Sequence, residues 1–266
     1  MAHPYLELVD RIDRALTAAE NVFATLNGRK VTEMRKTGGD PLTHVDLALD
    51  EVLRDSLQVE GDGWLSEETA DDLSRLDTEL VWIVDPLDGT REFIDGLPEF
   101  CTSVAAVVDG MPVAGGVVNP AADLRVVGAI GLGVSCNGES ASPRPSGPLA
   151  HMTVLASRSE VGRGQWEAVE SAGIVVQPMG SVAYKMARVA AGLDHATWTP
   201  VPKHEWDVAG GAALMAAAGG SVIGVDGELL LFNQPRPWFS GVIAVPPGFE
   251  IHLEAVKTLI HQQRAG

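Results

Sequence analysis

The sequence predicts an α+β first half followed by a three-layer α/β second half. Three observations carry that reading. Apolar residues recur every three to four positions over 5–26, as on one face of a helix. Two β-rich segments, 102–108 and 112–118, flank Asp109-Gly110, a strong hairpin signal. Beyond residue 152, short apolar strands alternate with helical stretches, the pattern of stacked β-α units.

Taken in order, Leu6, Val9, Ile12, Leu16, Val22 and Phe23 line the first helix, and Gly28 is placed to end it. Residues 36–41 read as a loop around Gly38-Gly39. Thr43-His44-Val45-Asp46 opens a second helix with Leu49, Val52, Leu53 and Leu57 on its inner face. Taken alone, Asp46 reads as an exposed acid that favours the helix dipole. A turn at 61–64 leads into Leu65-Ser66-Glu67-Glu68, and a short helix or loop over 71–77 leads to an apolar strand, 81–84. A third antiparallel strand covers 123–128.

Residues 135–148, rich in Gly, Ser and Pro, read as an exposed connection. It separates an N-terminal α+β domain, 1–140, from a C-terminal α/β domain, 149–266. The second domain reads as strand 152–156, a helix running to 172, strand 174–177, helix 182–191 and strand 195–199. An Ala-rich helix then runs from Trp206-Asp207 to Gly219-Gly220, followed by a strand pair around Asp226-Gly227.

With 266 residues, 45% of them hydrophobic and 21% charged, the chain has the composition of a globular protein with sizeable cores. Its net charge of −17 excludes nucleic-acid binding through a basic face. An acidic protein that handles small phosphates needs cations to mediate the contact. The two cysteines, Cys101 and Cys136, read as reduced structural thiols. No signal-peptide pattern and no span long enough for a bilayer are present, so the expected location is the cytoplasm.

The chemistry concentrates in Val81-Trp82-Ile83-Val84-Asp85-Pro86-Leu87-Asp88-Gly89-Thr90. Pro86 fixes its own φ and biases Asp85 toward extended backbone, so a sharp turn is expected at the strand end. Such a turn aims two carboxylates and the Leu87 carbonyl at one point. Three hard oxygen donors suit Mg²⁺ better than zinc. Gly89 allows close backbone approach, and amides at a following helix start bind phosphate. Asp-Pro and Asp-Gly are also common turn chemistry, where the acids merely cap and solvate.

Leu65-Ser66-Glu67-Glu68, Asp85-Pro86-Leu87-Asp88-Gly89-Thr90 and Trp206-Asp207-Val208-Ala209-Gly210-Gly211, in that order, resemble the inositol monophosphatase family of Mg²⁺-dependent, lithium-inhibited phosphatases. With Thr90-Arg91-Glu92-Phe93, the chain looks most like the CysQ-type 3'(2'),5'-bisphosphate nucleotidases. The resemblance implies a layered αβαβα sandwich, a homodimer and two to three Mg²⁺ ions. It implies Glu67, Asp85 and the Leu87 carbonyl on a first ion, and Asp85, Asp88 and Asp207 on a second. Thr90, oriented by Asp46, would activate water together with Glu67, and the Gly89 and Thr90 amides would take the phosphate.

It further implies substrate contacts at Ser157, Arg158, Gly180, Ser181 and Lys185. The last carries the plain alternative of a surface lysine. Near Thr197-Trp198-Thr199 the relatives carry an Arg or a Glu that this chain lacks, and Lys203 or His204 is the expected replacement. The activity so implied is removal of the 3'-phosphate from adenosine 3',5'-bisphosphate, a step in sulfate assimilation. Hydrolysis of inositol monophosphate or fructose 1,6-bisphosphate is the alternative, and a non-catalytic phosphate-binding protein is the reading from another class.

Overall fold

The fold follows from which faces of each element are apolar. The computed structural model describes residues 3–26, 33–35 and 41–265. Gly28 and the Gly38-Gly39 pair lie outside the described residues. Helix α1 (Leu6–Leu26) is followed by a small ribbon, β1 (Glu33–Arg35) and β2 (Pro41–Thr43), and then by helix α2 (His44–Leu57). Strand β3 (Gly63–Ser66) pairs in parallel with β4 (Leu80–Asp88), which ends at the short helix α3 (Thr90–Ile94). The antiparallel strands β5 (Cys101–Val108), β6 (Met111–Asn119), β7 (Leu124–Ala129), β8 (Gly133–Cys136) and β9 (Glu139–Ala141) complete a seven-stranded sheet in chain order.

The remaining chain holds β10 (Thr153–Ser157), α4 (Arg158–Gly162), α5 (Glu167–Ser171), β11 (Val175–Met179), α6 (Val182–Ala190) and β12 (Ala196–Thr199). The short β13 (Lys203–His204) precedes α7 (Glu205–Ala217), β14 (Ser221–Gly224), β15 (Trp238–Phe239), β16 (Val242–Val245) and α8 (Leu253–Ala265). Five of these strands form a second sheet in the order β11-β10-β12-β16-β14.

The central strands of the two large sheets are buried on both faces, so alternate residues of one strand serve different cores. In β4, Trp82 and Val84 face α1 and α2, whereas Val81 and Ile83 face α6 and α7. In β16, Val242 and Ala244 face α6 and α7, whereas Ile243 and Val245 pack with residues of α5 and α8. Helices, sheet, helices, sheet, helices: this is the αβαβα sandwich.

Several local expectations change. The strand 81–84 runs on to Asp88, and Asp85-Pro86-Leu87-Asp88 forms a register irregularity against β5 instead of a sharp turn. Proline lacks the N–H of a regular ladder, and a bulge accommodates it. The Pro86 carbonyl instead accepts the Thr102 hydroxyl at 2.8 Å. Part of the expected connection 135–148 is the β8–β9 hairpin, turned by Asn137-Gly138 with both φ angles positive. The helix expected up to 172 is split into α4 and α5 around Gly164, whose φ is +75°. The strand pair around Asp226-Gly227 is reduced to one bridge, Ile223 to Leu229, and β14 pairs along its length with β16. The Asp109-Gly110 hairpin forms between β5 and β6, both residues at positive φ.

Candidate active site

Three elements meet where the acids gather. The parallel register of β3 and β4 sets Ser66 opposite Val84, so the next residues, Glu67 and Asp85, leave neighbouring strands at the same level. The Glu67 amide donates to the Val84 carbonyl at 3.3 Å and holds that level. Asp207 arrives from the start of α7, which crosses between the sheets. Its Gly210 and Gly211 let the helix approach closely. A Cβ on Gly210 would sit 3.1 Å from the Val104 amide, and one on Gly211 would sit 2.5 Å from Met186 Cβ. Glu67, Asp85 and Asp207 each bring one carboxylate oxygen within 4.8 Å of the other two.

Around this trio lies a cavity of about 300 Å³. Leu87, Asp88, Gly89 and Thr90 line it beside the three acids, as do Ser157, Gly180, Ser181, Lys185 and Lys203. Asp88 is engaged by the chain of the second half. Its Oδ2 accepts the Ser181 hydroxyl at 2.7 Å and the Ala183 amide at 2.8 Å, both at the start of α6. Gly89 has φ +96°, and a Cβ there would lie 2.8 Å from the Glu99 carbonyl, so both backbone and space require glycine.

Asp46 is fully buried, not an exposed helix-start acid. Its Oδ2 accepts the Thr43 amide at 2.8 Å, closing a capping box at the start of α2, and its Oδ1 accepts the Thr90 hydroxyl at 3.2 Å. The same Thr90 oxygen lies 3.0 Å from the Leu87 carbonyl. Asp207 repeats the capping arrangement, its Oδ2 accepting the His204 amide at 2.9 Å.

Burial and charge crowding act together on Asp207. Burial, and then the Asp88 and Glu67 charges, push the Asp207 carboxyl up to about 7 against the pull of Lys203. Such a set of hard oxygen donors, held close at that cost, fits a divalent cation of the magnesium class. On the other side, burial, with the nearby Lys203 adding to it, lowers Lys185 to about 8 despite the pull of Asp88. Lys185 is 2% exposed, so it is no surface lysine.

Arg158 is not brought into the cavity. Its guanidinium is ion-paired with Glu99, whose Oε2 also accepts the Gly180 amide at 2.8 Å. Thr197, Trp198 and Thr199 are buried in β12, and none lines the cavity. Thr197 bonds the Leu155 carbonyl, and the Trp198 indole bonds Gln263 at 3.1 Å. The motifs gave no role to Glu92, which lines the cavity with its carboxyl raised by burial and by Asp88. Nor did they flag Glu99. Its partners lie 59 and 81 positions away, so no local pattern reports it.

Among the described residues no helix is long and apolar enough to cross a membrane. The inositol monophosphatase family matches this chain over residues 6–264. The chain is 33% identical over 239 residues to an inositol-1-monophosphatase of Mycobacterium leprae, covering 83% of this chain and 79% of the relative. It is 31% identical over 245 residues to the inositol-1-monophosphatase ImpA of Mycolicibacterium smegmatis, covering 86% and 85%. In structure it is similar to an IMPase of Thermotoga maritima, with TM-score 0.83 at 24% identity over 96% of this chain and 98% of that one. The suhB protein of Bartonella henselae superposes with TM-score 0.80 at 23% identity over 98% and 99%. At those identities the structural matches speak to the fold.

Proposed function

The chain belongs to the inositol monophosphatase family, and from that premise we propose that it is a Mg²⁺-dependent phosphomonoesterase whose substrate carries a second phosphate, adenosine 3',5'-bisphosphate before others. The observation that carries the second part is the pair of lysines, Lys185 and Lys203, in the cavity that holds the acids. One phosphate would be drawn to the cations that the carboxylates would hold, and a second anion would face the ammonium groups.

Glu67, Asp85, Asp88, Asp207 and the Leu87 carbonyl would hold magnesium, which supplies charge neutralisation for the phosphate and a lowered pKa for the attacking water. The chain's own groups do the rest. The Thr90 hydroxyl donates to Asp46 or to the Leu87 carbonyl, and its oxygen is then free as an acceptor that would orient water in the cavity it lines. Glu67 is the acceptor for the proton that this water gives up. The Gly89 and Thr90 amides hold the phosphate in line. Ser157, Gly180 and Ser181 line the side on which the rest of the substrate lies.

Hydrolysis of inositol 1-phosphate is the second reading, supported by the names of the relatives at 31% and 33% identity. Comparing kcat/KM for adenosine 3',5'-bisphosphate, inositol 1-phosphate and fructose 1,6-bisphosphate at equal Mg²⁺ separates them. A tenfold preference for inositol 1-phosphate would end the nucleotide reading. No Mg²⁺-dependent phosphate release from any of the three would end the hydrolytic one.

A further inference from the structure

A carboxylate outside the cavity is bonded to the chain on both sides of Glu67. Asp50 lies one turn after Asp46 in α2, on the same helix face. One of its oxygens accepts the Ser66 hydroxyl, and the other accepts the Thr69 hydroxyl at 2.8 Å. Ser66 ends β3 and is buried, and its Oγ also accepts the Glu68 amide at 3.3 Å. Residues 67–69 have no helix or strand of their own. Both Asp50 oxygens are engaged, so the side chain is fixed in rotation as well as in place. The helix beneath is fixed in turn, with Leu49 and Leu53 fully buried in the core that also contains Trp82 and Val84 of β4.

We propose that Asp50 is a positioning residue for Glu67, fixing the bend 66–69 so that the Glu67 carboxylate meets Asp85 and Asp207. Helix α2 then acts as one bar with two brackets, Asp46 holding Thr90 and Asp50 holding the Glu67 bend. Hydroxyl-to-carboxylate bonds are among the stronger neutral-to-ion hydrogen bonds, and two of them add side-chain restraint to a bend that also carries the backbone bond from the Glu67 amide to the Val84 carbonyl. Groups that orient metal-ligating side chains change metal affinity by about 10–100-fold when removed. The proposal rests on the reading of Glu67 as a magnesium ligand.

Calorimetric titration of Mg²⁺ into the full-length protein tests it, with thermal unfolding measured alongside. Glu67→Ala is expected to weaken Mg²⁺ binding. Asp50→Ala is expected to weaken it about 10–100-fold, and the double variant to bind no more weakly than Glu67→Ala alone. Asp50→Asn, which can accept one hydroxyl and donate to the other, should recover part of the affinity. At saturating Mg²⁺, the substrate KM of Asp50→Ala should stay within about threefold of the wild type while kcat falls, a split expected when a transition-state interaction is lost.

Wild-type Mg²⁺ affinity in Asp50→Ala with a lowered Tm would overturn the proposal, because the role would then be structural alone. Additive losses in the double variant would overturn it too. Should Asp50→Ala not fold, the Ser66→Ala/Thr69→Val variant removes the same two bonds from the other side and is read by the same criteria. Wild-type Mg²⁺ affinity in Glu67→Ala would instead remove the metal reading on which the proposal stands.

Discussion

The Ser181 hydroxyl donates to Asp88 Oδ2 across 2.7 Å, joining the first residue after β11 and Gly180 to the end of β4, 93 positions earlier in the chain. The contact is made from a constrained backbone: Ser181 has φ +56°, uncommon for a residue with a side chain. It places the start of α6 against a carboxylate that the second Mg²⁺ would share. Strained φ at such a point is held by its surroundings, here by the Asp88 bond and by the Tyr184 amide, which donates to the same hydroxyl at 3.1 Å.

Asp88→Asn is expected to abolish turnover while keeping the fold, because the amide oxygen can still accept from Ser181 and Ala183. Circular dichroism and a phosphate-release assay check both halves. Ser181→Ala is expected to keep turnover but lose about tenfold in kcat/KM, about 1.4 kcal/mol of transition-state stabilisation. An active Asp88→Asn enzyme removes Asp88 from the site.

The Thr90 hydroxyl has two acceptors in reach, Asp46 and the Leu87 carbonyl, so its oxygen is held in place. Thr90→Ser is expected to retain activity within about tenfold, while Thr90→Val loses about 10²–10⁴ in kcat, the range for a group that positions or moves a proton. Steady-state kinetics at saturating Mg²⁺ distinguishes these from a change in metal affinity.

Lys185 carries a pH signature. Its folded-state pKa is lowered to about 8 from an ordinary 10.5, chiefly by burial. A lowered lysine pKa means that the buried charge costs stability in full below about pH 8, and that this cost is lost as pH rises toward 10.5. Lys185→Met should therefore raise the unfolding free energy at pH 7 by about 3 kcal/mol, with the gain fading above pH 8. The same variant should raise KM for adenosine 3',5'-bisphosphate. In the wild type that KM should climb above pH 8 as the ammonium is lost. Urea unfolding and initial rates across pH 6.5–10 measure the two, and a pH-independent KM would take Lys185 out of the second-phosphate role.

Arg75 is the buried cation that ties the chain after Glu67 to the start of α7. It is 1% exposed, donates to Asp71 at 2.8 Å and to the Gln234 carbonyl at 2.9 Å, and also bonds Asn233. The Asn233 and Gln234 amides donate in turn to Glu205, whose carboxyl burial pushes up to about 7. Arg75→Met is expected to cost about 3 kcal/mol in denaturant unfolding. The better-exposed Arg125, paired with Asp13 and Glu20, should cost under about 1 kcal/mol when changed to Ala. Equal losses would mean that burial is not what sets the value of the Arg75 network.

Arg158→Ala is expected to leave KM for all three candidate substrates within about twofold, because Glu99 already holds the guanidinium. A larger rise would mean that substrate draws Arg158 away from Glu99.

Short-range periodicity and motif chemistry made the outline of this chain readable in advance. The apolar run of 81–84, the Asp109-Gly110 turn and the amphipathic pattern of α1 each reside within one continuous stretch of the chain, so the layered α+β fold was legible. So was the cluster of acids at strand and helix ends. Whatever depends on register and close approach was settled by packing in three dimensions. Glu67 reaches Asp85 because β3 and β4 pair in parallel with Ser66 against Val84. Asp207 reaches both because Gly210 and Gly211 let α7 lie close to β5 and α6. Arg158 turns away because a carboxylate 59 residues earlier claims it, and Asp50 gains its role from a bend 16 residues later. Such contacts are fixed by how layers stack and by which charges find partners on burial, and neither is encoded in the spacing of residues along one element.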